Sequence, residues 1–393
     1  MKIITTSLTK RLSYSEDKSI KILKYDTDNR YPQNLSLITG GSGTASSCID
    51  IFTKFIVGKG FKQNGDKIVN DTWIKPFTLN KILRLVASDY AKFNGFALHV
   101  NYNANYKISS ISHVPFEYCR FGIPDDYHYI STIAVYDNWD RSKSTRLMRD
   151  DIYYLDIYNP NPDVIKAQVE RDGNFRNYKG QILYYSGDGD YTYPKAKYDS
   201  VLEDIETDGN IKTFKYKSIR NGFSAGHIFV YKGSFESDSE RQKFAQNLNN
   251  FQGPENTGTM MLVEVDIDEQ KPEIQKVEVM NIDKVFEYTE KSIQDNIRKI
   301  NHIPPVLLGD LVVGRLGTAE EILDATILYN AFTEDDRTIM EQTFTELMKM
   351  YKSPIKSPLE IEELTLFSEE VLANRKNVNK INENGGNKTD SNE

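Results

Sequence analysis

The residue types that most often act in catalysis or metal binding are sparse in this sequence and poorly spaced for chemistry. The five histidines form no H-E-x-x-H motif and no i, i+4 pair that would place two of them on one helix face. They lie at positions 99, 113, 128, 227 and 302. Cys48 and Cys119 are the only cysteines, which excludes a four-cysteine zinc site and a disulfide scaffold. We therefore expect no catalytic residue, no metal site and no cofactor.

Two glycine-containing segments and one acidic run could be taken for ligand sites. The segment 39–47 (TGGSGTASS) lacks the G-K-[ST] ending of a phosphate loop and has no apolar strand before it, which favours a flexible turn before a helix. The segment 187–192 (GDGDYT) lacks the glycine and closing glutamate of a calcium loop, so a hairpin turn is the better interpretation. Acidic residues alternate along a predicted strand and indicate a solvated face or a partner surface. They are Glu264, Asp266, Asp268 and Glu269.

Composition bounds the class of protein. A chain of 393 residues is long enough for two or three domains, and its 39% hydrophobic residues can form a core. With 57 acidic against 49 basic residues, it lacks the basic excess of proteins that grip nucleic acid by its phosphates. The first residues show no signal-peptide pattern, and no apolar run approaches eighteen residues. These features predict a soluble, intracellular protein of mixed α and β structure.

Hydrophobic periodicity predicts the order of elements. Helical spacing of apolar residues recurs in four segments. They are 44–57, 77–93, 197–221 and 283 to the residue before Pro304. A capping box, Thr318-x-x-Glu321, opens a further long helix, in which Thr333-Glu-Asp-Asp336 predicts a kink or break.

Strand patterns and polar segments complete this prediction. Strands are expected across most of 96–190, including 164–170 (VIKAQVE), and a strand–helix–strand insert is expected over 223–281. The first thirty residues predict an arm or poorly packed edge. The polar segment from Asn374 to the end predicts disorder.

One apolar segment stands between two predicted long helices. Residues 302–321 (HIPPVLLGDLVVGRLGTAEE) combine large aliphatic side chains with three glycines, although exposed apolar loops invite association. Either this is a buried turn between two core helices, or another molecule covers it.

The order of elements, together with several short motifs, resembles the portal proteins, or head-to-tail connectors, of tailed bacteriophages. Family members carry a similar I-P-P-x-L-L-G after the second stem helix, which here is Ile303 to Gly309, followed by an acidic start to a long helix, here Glu320-Glu321. They also have a similar Asn-Gly after the first stem helix, here Asn221-Gly222. The segment 89–100 (DYAKFNGFALHV) is similar to their helix-to-strand turn. The resemblance covers roughly residues 30–350.

This resemblance implies an α+β, portal-like fold in several parts. Residues 1–195 would form the N-terminal part of an α/β wing, and 319–352 its long kinked helix. Between them would lie stem helix 1 (196–222), a small α/β clip insert (223–281), stem helix 2 (282–301) and a tunnel loop (302–318). Residues 353–393 would be a short crown or disordered tail.

Particular residues acquire roles from the resemblance. The tunnel loop would carry apolar side chains that neighbouring copies cover in part and that give DNA little to bind. Its residues would be Val306, Leu307, Leu308, Asp310, Leu311, Val312, Val313, Arg315 and Leu316. Basic residues of the stem would face the channel, although ordinary charge at the helix ends explains them about equally well for one chain. They are Lys212, Lys215, Lys217, Arg220, Arg298 and Lys299.

The resemblance further implies a non-enzymatic ring of copies, commonly twelve, at a capsid vertex. Its channel would pass double-stranded DNA during packaging and ejection. Partners would be the major capsid protein, the terminase large subunit and a head–tail adaptor, with no membrane; the protein would lie in the virion after assembly in the host bacterial cytoplasm. A tail adaptor or connector without a DNA channel stays open as an alternative, and an enzyme, such as a nuclease or nucleotide-binding protein, as a third class.

Overall fold

The structure is a computed structural model, and it describes only part of the chain. The described residues are 12, 14–71, 76–139, 151–220, 227–230, 237–239, 242–243, 273–276, 282–309 and 319–365. The acidic run 264–269, most of the predicted insert 223–281, the segment 310–318 and the tail from Asn374 lie outside them.

Helices and strands alternate along the chain, which confirms the α+β class. Among the described residues the helices are α1 (Tyr31–Gly41), α2 (Gly43–Val57), α3 (Leu79–Phe93), α4 (Pro162–Arg171), α5 (Leu202–Arg220), α6 (Ile282–Ile300), α7 (Ala319–Phe332) and α8 (Glu334–Lys349). The strands are β1 (Glu16–Asp17), β2 (Ile22–Leu23), β3 (Gly60–Phe61), β4 (Ile68–Asn70), β5 (Phe77–Thr78), β6 (Gly95–Tyr102), β7 (Ile108–Val114), β8 (Cys119–Phe121), β9 (Thr132–Val135), β10 (Tyr153–Ile157), β11 (Gln181–Ser186), β12 (His227–Val230), β13 (Glu273–Lys276) and β14 (Ile361–Glu362).

A six-stranded sheet occupies the middle of the chain, in the order β7-β6-β11-β10-β9-β8. Neighbouring strands are antiparallel except β10 and β11, which run parallel with Asp156 beside Gln181. Helix α3 packs on this sheet through a buried stripe that includes Leu83 and Val86, which share a core with Leu98 of β6. The periodicity of both segments predicts this packing, because it places their apolar side chains on one face each.

The segment 164–170 is helical, so its prediction as a strand is wrong. Parallel strands need a crossover connection, and α4 provides it between β10 and β11. The side chain of Asn161 accepts a hydrogen bond from the Asp163 N–H at 3.0 Å, and Pro162 occupies the first turn. Ile165 and Val169, four residues apart, are both buried. The capping residues and this i, i+4 pair were the available signals.

Helix α1 was not predicted, and it shortens the glycine-rich turn at 39–47. Thr39 to Gly41 still belong to α1, and Ser42 alone separates this helix from α2. The Ser42 Oγ accepts a hydrogen bond from the Ala45 N–H at 3.1 Å, which caps α2. The segment 39–47 is therefore a tight junction between two helices. Residues 187–192 do form a turn, but they follow β11 and no strand pairs with it there as a hairpin within the described chain.

Residues 14–30 pack tightly, contrary to the expectation that this part of the chain belongs to a loose arm. Ile20, Ile22 and Tyr25 are almost fully buried. Arg120 is fully buried as well, and its guanidinium donates to Asn29 Oδ1, the Asn29 carbonyl and Gln33 Oε1 at 2.7 to 2.9 Å. It also donates to two nearby backbone carbonyls. One basic side chain of the sheet thus anchors a polar segment whose composition does not reveal that contact.

Candidate functional site

Helices α5 and α6 form an antiparallel pair, the elements that would carry the channel-facing residues. Asp204 near the start of α5 accepts a hydrogen bond from Asn296 at 3.1 Å, and Lys215 further along α5 pairs with Glu290. From the first contact to the second, the residue number rises along α5 and falls along α6, so the two helices run in opposite directions. Nineteen residues in each correspond to a length of about 28 Å.

A narrow apolar seam joins the pair to the body of the chain. Ile205 and Ile211 of α5 and Ile293 and Ile297 of α6 are buried in one hydrophobic cluster. Gly209 allows α5 to approach the end of α1, because a Cβ at this position would lie 3.2 Å from the Gly41 carbonyl oxygen. A glycine that weakens the helix in isolation is thus favoured by the close packing on α1.

Three of the six basic residues predicted to face a channel pair with acids of the same chain. Lys212 lies 3.2 Å from Asp208, Lys215 pairs with Glu290, and Arg298 lies 3.2 Å from Asp295. Each pair cancels charge locally, so these cations attract a distant anion less than isolated ones would.

The other three basic residues differ in exposure. Lys217 and Lys299 are exposed, and no ion pair within the described chain involves them. The side chain of Arg220 lies outside the described residues. Of the six predicted basic residues, Lys217 and Lys299 are therefore the described ones that are exposed and have no ion pair. Lys291 of α6, which was not among the six, is exposed as well.

Asp208 is a buried carboxylate that joins three elements. Its Oδ2 accepts hydrogen bonds from Ser42 Oγ at 2.6 Å and from Lys212 Nζ at 3.2 Å. Burial acts to raise the pKa of Asp208, but the hydrogen bonds from Ser42, Lys212 and the Thr44 backbone outweigh it and lower the pKa below its ordinary value. Lys212 thus has a structural partner, which a reading of the sequence alone does not reveal.

The apolar segment after α6 begins with a short turn that packs on its own chain. Pro305–Leu308 form one 3-10 turn that ends at Gly309 with φ of 81°. Leu307 and Leu308 are half-buried against the cluster that holds Ile297, and Val306 is similarly half-buried. Part of the predicted tunnel loop is therefore covered within one copy. The remaining predicted residues lie outside the described chain; they are Asp310, Leu311, Val312, Val313, Arg315 and Leu316.

A cleft of about 290 Å³ lies where the end of α6 meets the break between α7 and α8. Inside it, Asp336 accepts hydrogen bonds from Lys197 Nζ at 2.5 Å and from Tyr90 Oη at 2.7 Å. The ring of His302 stacks on Phe332 with centroids 5.4 Å apart. These contacts connect the helix pair to the body.

The helix break at Thr333 has a buried polar anchor. Arg337 is almost fully buried and donates to Thr333 Oγ1 at 2.8 Å and to the Asn330 carbonyl at 2.8 Å. The acidic segment 333–336 predicts the break, but it gives no sign that Asp336 and Arg337 would be buried. Their burial depends on Tyr90, Lys197 and Phe55, which are distant in sequence.

The described residues provide no assembled metal-binding group. Within them, no cluster of three or more histidine, cysteine, aspartate or glutamate side chains is arranged to hold a metal ion. Cys48 and Cys119 are both buried and free. Across the same residues, none of the helices combines the length and the apolar character needed to span a bilayer.

One serine motif bears on the expectation that the chain has no catalytic residue. Residues 222–226 (GFSAG) match G-x-S-x-G, the pattern of a hydrolase nucleophile turn. That turn joins a strand to a following helix, whereas here the motif follows helix α5 and precedes strand β12. The order of elements is reversed, so the match does not indicate a hydrolase.

Known proteins resemble this chain in structure but not in sequence. No protein-family model and no curated protein matches the sequence. A chain from the neck of the empty gene transfer agent (GTA) particle, computed with C6 symmetry, aligns over 92% of this chain and 91% of its own, at 10% identity and a TM-score of 0.50.

Two further solved structures align over similar lengths. A chain from the neck of the native GTA particle, computed with C12 symmetry, covers 92% of this chain and 91% of its own at 11% identity and a TM-score of 0.47. An HK97 family phage portal protein from Corynebacterium diphtheriae covers 84% of this chain and 95% of its own at 8% identity and a TM-score of 0.43.

At 10% identity, the alignment with a TM-score of 0.50 shows a shared fold along almost the whole chain. The likeness shown is one of fold, with a chain from the neck of the GTA particle.

Proposed function

We propose that this chain is a portal protein whose copies form a ring around a channel for double-stranded DNA. The observation that carries the proposal is the whole-length likeness of fold to a chain in the neck of the GTA particle. The collinear motifs, Ile303 to Gly309 followed by Glu320-Glu321, support it independently, because they occur in the order found in portals.

In the proposed ring, the regions keep the roles that the resemblance implies. Residues 1–195 and 319–352 form the wing, 196–222 and 282–301 the stem helices, and 223–281 the clip. The segment 302–318 is the tunnel loop, and 353–393 contribute a short crown or tail. The ring has twelve copies at a vertex of the virion capsid, and it is not an enzyme.

The charges of α5 and α6 suit a conduit that holds DNA weakly. Lys212, Lys215 and Arg298 are neutralised by acids of the same chain, which leaves Lys217, Lys291 and Lys299 as the exposed cations of α5 and α6 that have no ion pair among the described residues. DNA affinity grows with the number of phosphates that a protein neutralises, and it falls steeply with salt. Few free cations per copy therefore allow DNA to pass without being retained.

Partners follow from this proposal. The major capsid protein, the terminase large subunit and a head–tail adaptor would contact the outer surfaces of the ring. The clip, 223–281, is the region that we expect to dock the terminase and later the adaptor, after assembly of the ring in the host bacterial cytoplasm.

The mass of the purified protein and its behaviour with DNA test the proposal. Native mass spectrometry should give a particle of about 542 kDa, which is twelve times 45.2 kDa. Lys217→Ala combined with Lys299→Ala should leave this mass unchanged and should weaken retention of DNA at low salt. Lys18→Ala with Lys24→Ala, which removes the same charge outside the helix pair, is the matched control and should change neither.

Two outcomes separate the proposal from its rivals. A particle of the expected mass whose weak DNA retention is insensitive to Lys217 and Lys299 would favour an assembly protein without a DNA channel. Monomers at all salt and protein concentrations would contradict both kinds of ring. Metal-dependent cleavage of DNA or nucleotides would instead identify an enzyme.

A further inference from the structure

Helix α7 carries apolar side chains on two faces, and its own described chain covers only one. Tyr329 is 1% exposed and packs edge-on against Phe55 of α2 at a centroid distance of 4.8 Å. Ala325 lies one turn earlier on the same face and is also buried. This inner face attaches α7 to the body.

The opposite face forms an exposed apolar stripe, which we call the outer stripe. Its residues are Ile327, Leu328, Ala331 and Phe332, which helical spacing places side by side. The three large side chains, Ile327, Leu328 and Phe332, are 61%, 52% and 53% exposed. A helix that is apolar all round is normally buried, and an exposed apolar patch marks an interaction site.

The chemistry of the stripe selects a protein partner. From Ala325 to Thr333 the helix has no charged residue, the flanking charges being Asp324 and Glu334. The stripe thus offers no cation for a DNA phosphate or a lipid headgroup, and both flanking charges would repel such anions. An apolar protein surface is the complementary partner.

The stripe continues into the cleft at the end of α6. Phe332, at one end of the stripe, stacks on His302, and both rings line the cleft of about 290 Å³ together with Phe52, Ile300 and the ion pair of Lys197 with Asp336. The mouth of this cleft can receive a side chain of a molecule lying along the stripe. Stripe and cleft together form one continuous surface of a helix face and an adjoining pocket.

We propose that a second copy of this chain, the neighbour in the ring, packs on the outer stripe. The inference rests on the proposed function. The likeness of fold to a chain in a neck computed with C6 symmetry supplies the reason for this partner. Copies related by such an axis contact each neighbour through the same two unlike surfaces, so a face that one copy leaves uncovered is available to a neighbour on every copy. The outer stripe is one of these two surfaces.

Charged substitutions in one leucine of the stripe and one outside it test this proposal. Leu328→Asp should convert the particle of wild-type mass to single chains, with at least about a tenfold loss of assembled protein, because an unpaired carboxylate would be buried in the interface. Leu37→Asp is the matched control, since Leu37 is also an exposed helical leucine, at 73% exposure on α1. It should assemble as the wild type does.

Thiol labelling gives a readout that does not depend on disrupting the ring. Cys48 and Cys119 are buried, so a maleimide should react mainly with an introduced cysteine. In the assembled particle, Leu328→Cys should react at least about tenfold more slowly than Leu37→Cys, because a packed interface excludes the reagent.

Each outcome decides between the two proposals. If the wild type forms the ring but Leu328→Asp also assembles and Leu328→Cys labels as fast as Leu37→Cys, the outer stripe faces solvent or another protein and this inference is overturned. If the wild type itself never assembles, the proposed function is contradicted, and the inference that rests on it falls with it.

Discussion

Helices α7 and α8 follow each other in the chain, but their apolar side chains have different surroundings. Helix α8 buries Phe344 and Leu347 in the core beneath the sheet, together with α3 and β6. Helix α7 leaves Leu328 and Phe332 more than half exposed. The break at Thr333 separates a helix whose large apolar side chains are buried within one copy from a helix whose outer face, on our proposal, a neighbouring copy covers.

Two phenylalanines on either side of the break should differ most in their contribution to stability. Phe344 is 1% exposed, and Phe344→Ala should lower the free energy of unfolding of the single chain by about 3–5 kcal/mol, since it leaves a cavity in the core. Phe332 is 53% exposed, so Phe332→Ala should lower the free energy of unfolding by less than about 1 kcal/mol. Urea unfolding of the dissociated chain measures both. Equal losses would show that α7 is as integrated into the body as α8.

The buried arginine of the body should have the next largest effect. Arg120→Leu should cost about 3 kcal/mol, because it leaves several buried carbonyl and amide oxygens without a donor. Arg171→Leu is the control. It removes an arginine that is itself 57% exposed but makes two hydrogen bonds to the buried Asp156, so the loss should be about 1–3 kcal/mol and should arise away from the N-terminal segment.

Protease sensitivity would localise the effect of Arg120. Cleavage within residues 14–30 should accelerate in Arg120→Leu and remain slow in Arg171→Leu. If both variants were cleaved alike there, the N-terminal segment would be held by its tyrosine contacts and not by the guanidinium.

The break between α7 and α8 should tolerate the loss of a threonine hydroxyl less well than α8 itself does. Thr333→Val removes the hydroxyl that accepts from Arg337 and should cost about 1–2 kcal/mol. Thr338→Val removes a hydroxyl that only donates back to the Glu334 carbonyl and should be nearly neutral. Thermal unfolding followed by circular dichroism compares them. No difference would mean that the break does not depend on the Thr333–Arg337 contact.

The smallest effect should come from Asp208 and appear only in acid. Its pKa is lower in the folded chain than the ordinary value of 3.8, so its ionised form contributes stability above that value. This contribution should be lost as the pH falls below about 3.8 towards the folded-state pKa. Asp208→Asn should therefore flatten the pH dependence of unfolding in this range. An unchanged profile would remove Asp208 from the acid response.

The sequence predicts the segments whose side chains repeat regularly, and it fails where distant residues decide. Helix α3, the pair α5 and α6, and the break at Thr333 follow from spacing and capping residues. The crossover α4 was predicted as a strand because its apolar residues are few. Helix α1 was not predicted because Gly40 and Gly41 suggest a turn. For the candidate site, the sequence points to the basic residues, whose role stays a prediction, but it does not reveal their acidic partners, such as Glu290 for Lys215.

A reconstruction of the purified protein by electron cryomicroscopy tests the central claim most directly, since it places each helix relative to the others. We expect a closed ring with an open axis, in which α5 and α6 of every copy surround the channel and the outer stripe of α7 lies against the neighbouring copy. A ring with α5 and α6 at its outer edge, or particles that remain single chains at every concentration, would contradict it.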